Sequence, residues 1–406
     1  MSNINRVSPF LKRKESEIMP LFIIVIFLLF LSLDFYVFTR GWQALAGLKS
    51  MRIAYAILFW AVALTFFPAI ILKRNSDSLF TEALWNVAVF WMAAMAYFAM
   101  ALVVVDIFRL LWRLFIKEPM RVVIKNYKGL KRGLFAVVSF SVAVFLCVGY
   151  VNATHPRVSE YEVEMKSPCV EEERELAVVM VSDLHLGLVN GRKQLWRWVK
   201  EINELKPDLL LLAGDVFDDN PQPVERKRLG ELLNGIQPPL GKYAIPGNHE
   251  LIGDFHRAAA YLRQHDIEVL ADRAVLIDSL FCLAGRMDRS VGQQRIVTDS
   301  FPARAELDQL IRPYKEDYPV VLLDHQPLGL DEAVLSGVAL QLSGHTHRGQ
   351  MWPFNYITEA MYECDHGMVR KENTTFIVSS GLGTWGPPIR LGSRSEIVLI
   401  RLKITR

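Results

Sequence analysis

Ile53 to Leu72 carries no charged residue, and neither does Leu84 to Val105. A helix needs roughly 20 apolar residues to cross the hydrocarbon core of a bilayer. Two such runs therefore point to a membrane-embedded N-terminal region. Leu134 to Val151 is a third, slightly shorter run. Pro20 to Phe38 is apolar apart from Asp34, which lies near its end, within reach of the interface and of its neighbour Arg40. Four spans are expected within residues 1–151. The first is too long for a removable signal peptide, and no small-residue cleavage site comes after it.

Lys and Arg collect on the cytoplasmic side of membrane proteins. Here Arg109, Arg113, Lys117, Arg121, Lys125, Lys128, Lys131 and Arg132 fall between the third and fourth spans. Leu110, Leu111, Leu114, Phe115 and Ile116 lie among them, which suits an amphipathic helix on an anionic inner leaflet. A cytoplasmic basic segment sends the fourth span outward. The C-terminal part of the chain then sits on the extracytoplasmic face of the cell (inner) membrane. Arg6, Lys12, Arg13 and Lys14 oppose this, because four spans put them outside as well.

Half of the chain is apolar, and the excess lies before about residue 151. The net charge of +3 leaves no basic surface of the kind nucleic acid demands. Cys147 sits in an apolar run, while Cys169, Cys282 and Cys364 are an odd set without CxxC spacing, so free thiols are expected. Val158 to Val170 is polar and belongs to a linker, 152–174, leading to a separate domain over 175–406.

In that domain short apolar runs alternate with amphipathic helices. Strands are expected at Leu176 to Val181, Leu209 to Ala213, Tyr243 to Ile245, Val320 to Leu323, Ala339 to Leu342, Thr375 to Ser379 and Ile397 to Leu402. Helices are expected around Lys193 to Leu205 and Val224 to Leu233. The alternation implies an α/β domain with its sheet buried on both faces. Polar residues that bind metals come just after the strands: Asp183 and His185, Asp215, Asn248 and His249, His325, then His345 and His347. Sites in such folds form outside the carboxyl ends of strands.

Residues i and i+2 of an extended segment point to one side. Asp183 with His185, and His345 with His347, can thus each offer two ligands to one site. Carboxylate and amide oxygens combined with imidazoles suit Mn, Fe or Zn rather than structural zinc. A carboxylate can bridge two metals, and Asp215 is the natural candidate. Two metals about 3.5–4 Å apart would lower the pKa of a bridging water from about 15.7 towards 7 and brace the phosphoryl oxygens. A proton donor for the leaving oxygen is then needed, and His249, beside Asn248, suits that work.

Asp-x-His, Gly-Asp-x-x-Asp (Gly214 to Asp218), Gly-Asn-His-Glu, a lone His and Gly-His-x-His occur here in an order that resembles the calcineurin-like metallophosphoesterase superfamily. The match runs from roughly Glu175 to the C-terminus. It implies an α/β fold of two sandwiched β-sheets flanked by helices. It also implies that Asp183, His185, Asp215 and His347 bind one metal, and that Asp215, Asn248, His325 and His345 bind a second. Gly381 to Arg390 resembles the membrane-linked bacterial branch. Arg348 stands where that branch often has Gly, adding a positive group at the rim.

The expected activity is hydrolysis of a phosphate ester or pyrophosphate beside a membrane. A phosphorylated small molecule is one candidate substrate, and a lipid-linked phosphate is the narrower one. The alternative is a membrane sensor or transporter accessory with a regulatory phosphoesterase domain, since four spans exceed what anchoring requires. A nuclease is disfavoured by charge and by membrane attachment. Asp218 and Asp219 are balanced between supporting hydrogen bonds and solvated loop positions. Arg286 and Arg289 are expected at the surface, Trp385 in a packed turn, and His155, His256, His265 and His366 outside any site.

Overall fold

The computed structural model describes residues 9–76, 78–116, 118–292 and 303–406. The chain forms two compact units, Met1–Ile71 with Val87–Val144, and Leu72–Asn86 with Phe145–Arg406. Six helices come first: α1 (Pro9–Ala44), α2 (Lys49–Ala63), α3 (Phe66–Asn75), α4 (Leu79–Phe115), α5 (Met120–Val123) and α6 (Tyr127–Thr154). Among the described residues three stretches of helix are long and apolar enough to cross a membrane, Lys49–Lys73, Leu79–Phe115 and Tyr127–Thr154. They contain three of the four expected spans. The remaining one falls in α1, but begins among side chains that lie outside the described residues, as do Arg6 and Lys117.

α2 and α3 are parted by a turn at Leu64 and Thr65, where the Thr65 hydroxyl donates to the Val62 carbonyl at 2.6 Å. Pro68 falls in the first turn of α3, where its missing N–H has no partner to lose. Ile57, Leu58, Val104, Ile107, Phe140 and other apolar side chains stay exposed along these helices, as lipid-facing residues do. Val37, Phe59, Ala63 and Leu102 form the interior of the first unit.

Two expectations about charge are corrected. Asp34, expected to reach outward beside its neighbour Arg40, is fully buried and accepts a hydrogen bond from the Trp91 indole at 3.0 Å. The reason is that α1 continues to Ala44, which leaves Asp34 well short of the helix end. Arg40 pairs instead with Asp106, which also accepts from the Tyr36 hydroxyl at 2.8 Å and from Arg109 at 3.0 Å. The basic segment is not one interfacial helix either. Leu110, Leu111, Leu114 and Phe115 continue α4, and only the short α5 intervenes before α6.

The second unit carries twelve strands among its described residues: β1 (Arg157–Lys166), β2 (Arg174–Val181), β3 (Leu209–Ala213), β4 (Lys242–Ile245), β5 (Ile267–Val269), β6 (Arg273–Ile277), β7 (Phe281–Gly285), β8 (Val320–Leu323), β9 (Leu340–Ser343), β10 (Gly367–Lys371), β11 (Thr374–Val378) and β12 (Glu396–Thr405). They form two six-stranded sheets, ordered β1-β12-β2-β3-β4-β5 and β10-β11-β9-β8-β7-β6. Around them lie α7 (Arg192–Glu204), α8 (Gln222–Arg226), α9 (Gly230–Leu233), α10 (Asn248–Ile252), α11 (Phe255–Arg263), α12 (Leu307–Ile311), α13 (Leu330–Ser336) and α14 (Asn355–Met361).

Alternate residues of each strand explain the layers. Val178, Met180, Leu209 and Leu211 of the first sheet meet Leu283, Val321, Leu323 and Leu342 of the second in one core. Val179, Val181, Leu210 and Leu212 point the other way, onto Leu195 and Trp198 of α7 and Leu262 of α11. Cys282, Leu322 and Phe376 cover the outer face of the second sheet with Leu307, Ile311 and Leu330. The expected sandwich of two sheets between helices is what forms, and all four cysteines are free.

The expected linker is largely a strand. β1 runs parallel to β12 through ten paired residues, Arg157↔Glu396 to Lys166↔Thr405. Its alternation of Tyr161, Val163 and Met165 with Glu160, Glu162 and Glu164 is the pattern of a half-buried edge strand.

Candidate metal centre

The chemistry-bearing loops come after strands of both sheets: β2, β3 and β4 in the first, β8 and β9 in the second. Five of the residues sit in the left-handed backbone region, Asp183 (φ 55°), His185 (43°), Asp215 (52°), His345 (70°) and His347 (49°). Such positions are costly for non-glycine residues and collect at functional sites. Here the backbone ladder fixes them. Asp183 N–H donates to the Gly214 carbonyl at 3.0 Å, and His185 N–H to the Asp215 carbonyl at 3.0 Å. Gly344 cannot carry a side chain, because a Cβ there would lie 2.4 Å from Asp183 Oδ2. At Gly214, whose φ is +92°, a Cβ would lie 2.4 Å from His325 Nδ1.

The side chains fall into three overlapping groups: Asp183, His185 and His347; His185, Asp215 and His249; Asp215, His325 and His345. His185 Nε2 and His347 Nε2 stand 3.1 Å apart, and His347 Nε2 is 3.3 Å from Asp183 Oδ1. Asp215 Oδ2 lies 3.0 Å from His325 Nε2 and 3.9 Å from His185 Nε2. Asp183 and His185 thus share a group while His345 and His347 do not, and with all four in left-handed backbone the i, i+2 rule for extended segments applies to neither pair. His155, His256, His265 and His366 belong to none of these groups.

Charge and burial set the protonation of these groups. Burial, with the nearby charge of His325, pushes His345 down to about 4, and burial lowers His185 and His347 too. A neutral imidazole is the ligating form. Burial alone would raise Asp183 and Asp215, but the facing imidazoles hold both below the usual carboxylate range. Burial would lower His325, yet the carboxylates of Asp215 and Asp183 raise it. Asn248 Oδ1 and His185 Nδ1 are buried with no hydrogen-bond partner. Ionised carboxylates, the neutral imidazoles of His185, His345 and His347, and unpartnered buried acceptors fit a divalent cation.

His249 stands at the edge of this cluster, its ring centroid 4.5 Å from that of His185. Its backbone N–H donates to Asp215 Oδ1 at 2.9 Å. Its Nδ1 faces Asp219 Oδ1 at 3.1 Å and the Asp218 carbonyl. Burial opposes protonation of His249, but the hydrogen bond to Asp219 and the charge of Asp215 raise it to about 10. Asp219 is thus a supporting residue although its side chain stays partly exposed, and Asp218 is largely shielded from water.

Three participants take no role in the sequence reading: Glu250 and Arg390, although both lie within the quoted motifs, and Lys73. Glu250 is buried and accepts from the backbone N–H of Asp215, Phe217 and Gly247 at 3.1, 2.9 and 2.7 Å. Its place three residues after Gly247, at the start of α10, was the available signal. Arg390 is fully buried and donates to the carbonyls of Gly383, Gly381 and His347 at 2.6, 3.2 and 3.3 Å. Lys73 donates to Asp218 at 2.9 Å and to Asp219 at 3.4 Å, with its ammonium 4.7 Å from the Trp85 ring centre. No sequence signal pointed to Lys73, which ends an apolar span.

Arg286 and Arg289 are not surface residues. Arg286 is buried and pairs with Glu332 at 2.6 Å, while Arg289 reaches Glu332 at 3.2 Å and Asp324 at 3.5 Å. Arg304 also pairs with Asp324, so these guanidiniums brace the residue next to His325. Trp385 departs from expectation in the other sense. Gln350 holds its backbone, but its side chain is exposed.

Residues 176–349 match the family model for calcineurin-like phosphoesterases. An uncharacterized metallophosphoesterase of Aquifex aeolicus is 35% identical over 61% of this chain and 92% of its own length. One from Campylobacter jejuni is 27% identical over 94% of this chain and 98% of its own. A transmembrane protein with a metallophosphoesterase domain from Danio rerio is 33% identical, over 64% of this chain and 61% of that one. With metal-competent groups gathered at the strand ends and this degree of likeness, the chain belongs to the calcineurin-like metallophosphoesterase family, whose members are hydrolases.

Proposed function

We propose that the chain hydrolyses phosphate ester or pyrophosphate bonds at a membrane surface, using two divalent cations. Asp183, His185, Asp215 and His347 would hold one, and Asp215, Asn248, His325 and His345 the other. Mn, Fe or Zn suits this mixed oxygen and nitrogen donor set. The observation that carries the reading is the position of Asp215, whose Oδ2 is within 3.9 Å of imidazoles from both groups. When bound, such a pair supplies an activated water and charge for the phosphoryl oxygens. His249, backed by Asp219, then protonates the leaving oxygen. Glu250 and Arg390 keep the loops from relaxing.

Lipid-linked phosphates are the narrower substrate reading, supported by the three apolar helices. For orientation, the basic residues between α4 and α6 favour the cytoplasm. The chain leaves the catalytic unit after Asn86 and rejoins it at Phe145, with the basic segment between. An extracytoplasmic catalytic unit at the inner membrane is the orientation these positions support.

The test uses the full-length chain in detergent, because residues 72–86 belong to the catalytic unit. Bis-p-nitrophenyl phosphate and p-nitrophenyl phosphate are offered with Mn, Fe, Zn or Mg after chelation. Turnover that disappears with chelator and returns with metal supports the reading. A folded chain silent with all four metals and both esters overturns it for these ester classes.

The second reading, in which the membrane helices govern the site, rests on Lys73. A charge-assisted hydrogen bond contributes about 1.5–3 kcal/mol. Lys73→Met is expected to lower kcat about tenfold with KM little changed, and Lys73→Arg to recover most of it. Equal kcat values for all three proteins would reduce the helices to an anchor.

A further inference from the structure

We propose that the segment from Trp352 to Met361, with Trp385, docks on the bilayer that holds α6 and presents the metal centre to phosphates at the lipid surface. Trp352, Phe354, Tyr356, Ile357, Met361 and Trp385 are all exposed. Soluble proteins rarely leave so many large apolar side chains together in water. On the short helix α14, Ile357 and Met361 are four residues apart and share one face, with Tyr356 about a quarter turn to the side. Thr358 turns the other way, donating to Asp365 at 2.8 Å.

The occupant is indicated by what the patch is joined to. Gln350, two residues before Trp352, donates to the Trp385 and Pro387 carbonyls at 3.0 and 3.1 Å, which ties the two parts together. Its own carbonyl accepts from Leu391 N–H at 3.0 Å. Next to Leu391, Arg390 N–H donates to the Gly149 carbonyl at 2.9 Å, and its carbonyl accepts from Asn152 at 3.2 Å. Gly149 and Asn152 lie in the last turns of α6, beside exposed Phe145, Val148 and Val151. The patch is therefore continuous, through two short backbone links, with the end of an apolar span. Trp, Tyr and Phe are the side chains that settle at the level of lipid headgroups. A bilayer surface matches that chemistry better than a protein partner.

The same segment leads directly to the site. His347 lies five residues before Trp352, and the Tyr362 ring centroid is 6.4 Å from that of His345. A lipid whose phosphate sits at the surface would meet the metal groups without leaving the membrane. The docking stands alone; the catalytic consequence rests on the phosphoesterase reading above.

The test places the full-length chain in nanodiscs of phosphatidylcholine and phosphatidylglycerol that contain a phosphatidylcholine with a photoactivatable diazirine in its acyl chain. After illumination, adducts on peptides from 352 to 361, besides those in the spans, are expected. Adducts confined to the spans would overturn the proposal. So would a disulfide between two copies of Met361→Cys formed in place of lipid adducts, since a second copy would then cover the patch. The double variant Ile357→Ser with Met361→Ser is expected to lose those adducts. Its rate on hexadecyl p-nitrophenyl phosphate in the disc, relative to bis-p-nitrophenyl phosphate in solution, is expected to fall about tenfold or more, as withdrawal of two apolar contacts implies. An unchanged ratio with adducts retained would also refute it. The labelling needs no turnover, so it decides the docking even for a chain that hydrolyses neither ester.

Discussion

Asp215→Asn is expected to reduce hydrolysis of bis-p-nitrophenyl phosphate by at least about a hundredfold and to empty the centre of metal. The substitution keeps the shape of the side chain and removes its charge. Oδ2 of Asp215 is within 3.9 Å of His185 and 3.0 Å of His325, so a neutral amide weakens both metal groups together. Oδ1 accepts from the His249 N–H, and that contact survives the exchange. The fold should therefore persist, which a thermal melt of the purified variant can verify. Metal content by mass spectrometry and turnover are the two readouts. A variant that keeps its metals and a tenth of its activity would rule out a shared carboxylate.

On an alkyl phosphate ester, His249→Asn is expected to produce a loss of similar size by a different route. Its ring is held by Asp219 at the edge of the cluster, and the metal content should remain. What disappears is the proton for the leaving oxygen, an effect of about 10²–10⁴ in rate. Because nitrophenolate leaves readily without a proton, the deficit should be smaller with p-nitrophenyl esters than with an alkyl ester. Equal deficits with both leaving groups would mean that His249 binds the phosphate rather than protonating the alcohol.

The site was largely legible because its parts are local motifs at the ends of strands with strong apolar patterns. Leu209 to Ala213 is apolar throughout, and β3 has those bounds. What could not be read was pairing at a distance. β1 hides in a stretch with a glutamate at every second position, because one apolar face is enough for an edge strand whose partner is far along the chain. His345 and His347 both take left-handed backbone, for which neither residue advertises a preference, and they fall in separate groups. Lys73 reaches Asp218 from another part of the chain altogether, and nothing local foretells it. Arg286 and Arg289 read as exposed because guanidinium is costly to bury alone, and only the fold supplies Glu332 and Asp324.

β12 lies between β1 and β2, and this has a consequence for how the protein is made. The ribosome delivers β1 before any other strand of the catalytic unit and β12 after all of them. Until β12 emerges, β1 has no partner and β2 has one bare edge, beside a membrane already holding the earlier helices. Contacts this distant along the chain close slowly. Glu160, Glu162 and Glu164 on β1 keep that waiting edge charged, which discourages pairing with a neighbouring nascent chain. Completion of the first sheet is thus a late event in biosynthesis, and shortening the chain within β12 would cut β1 loose and bare β2 rather than merely trim the rim.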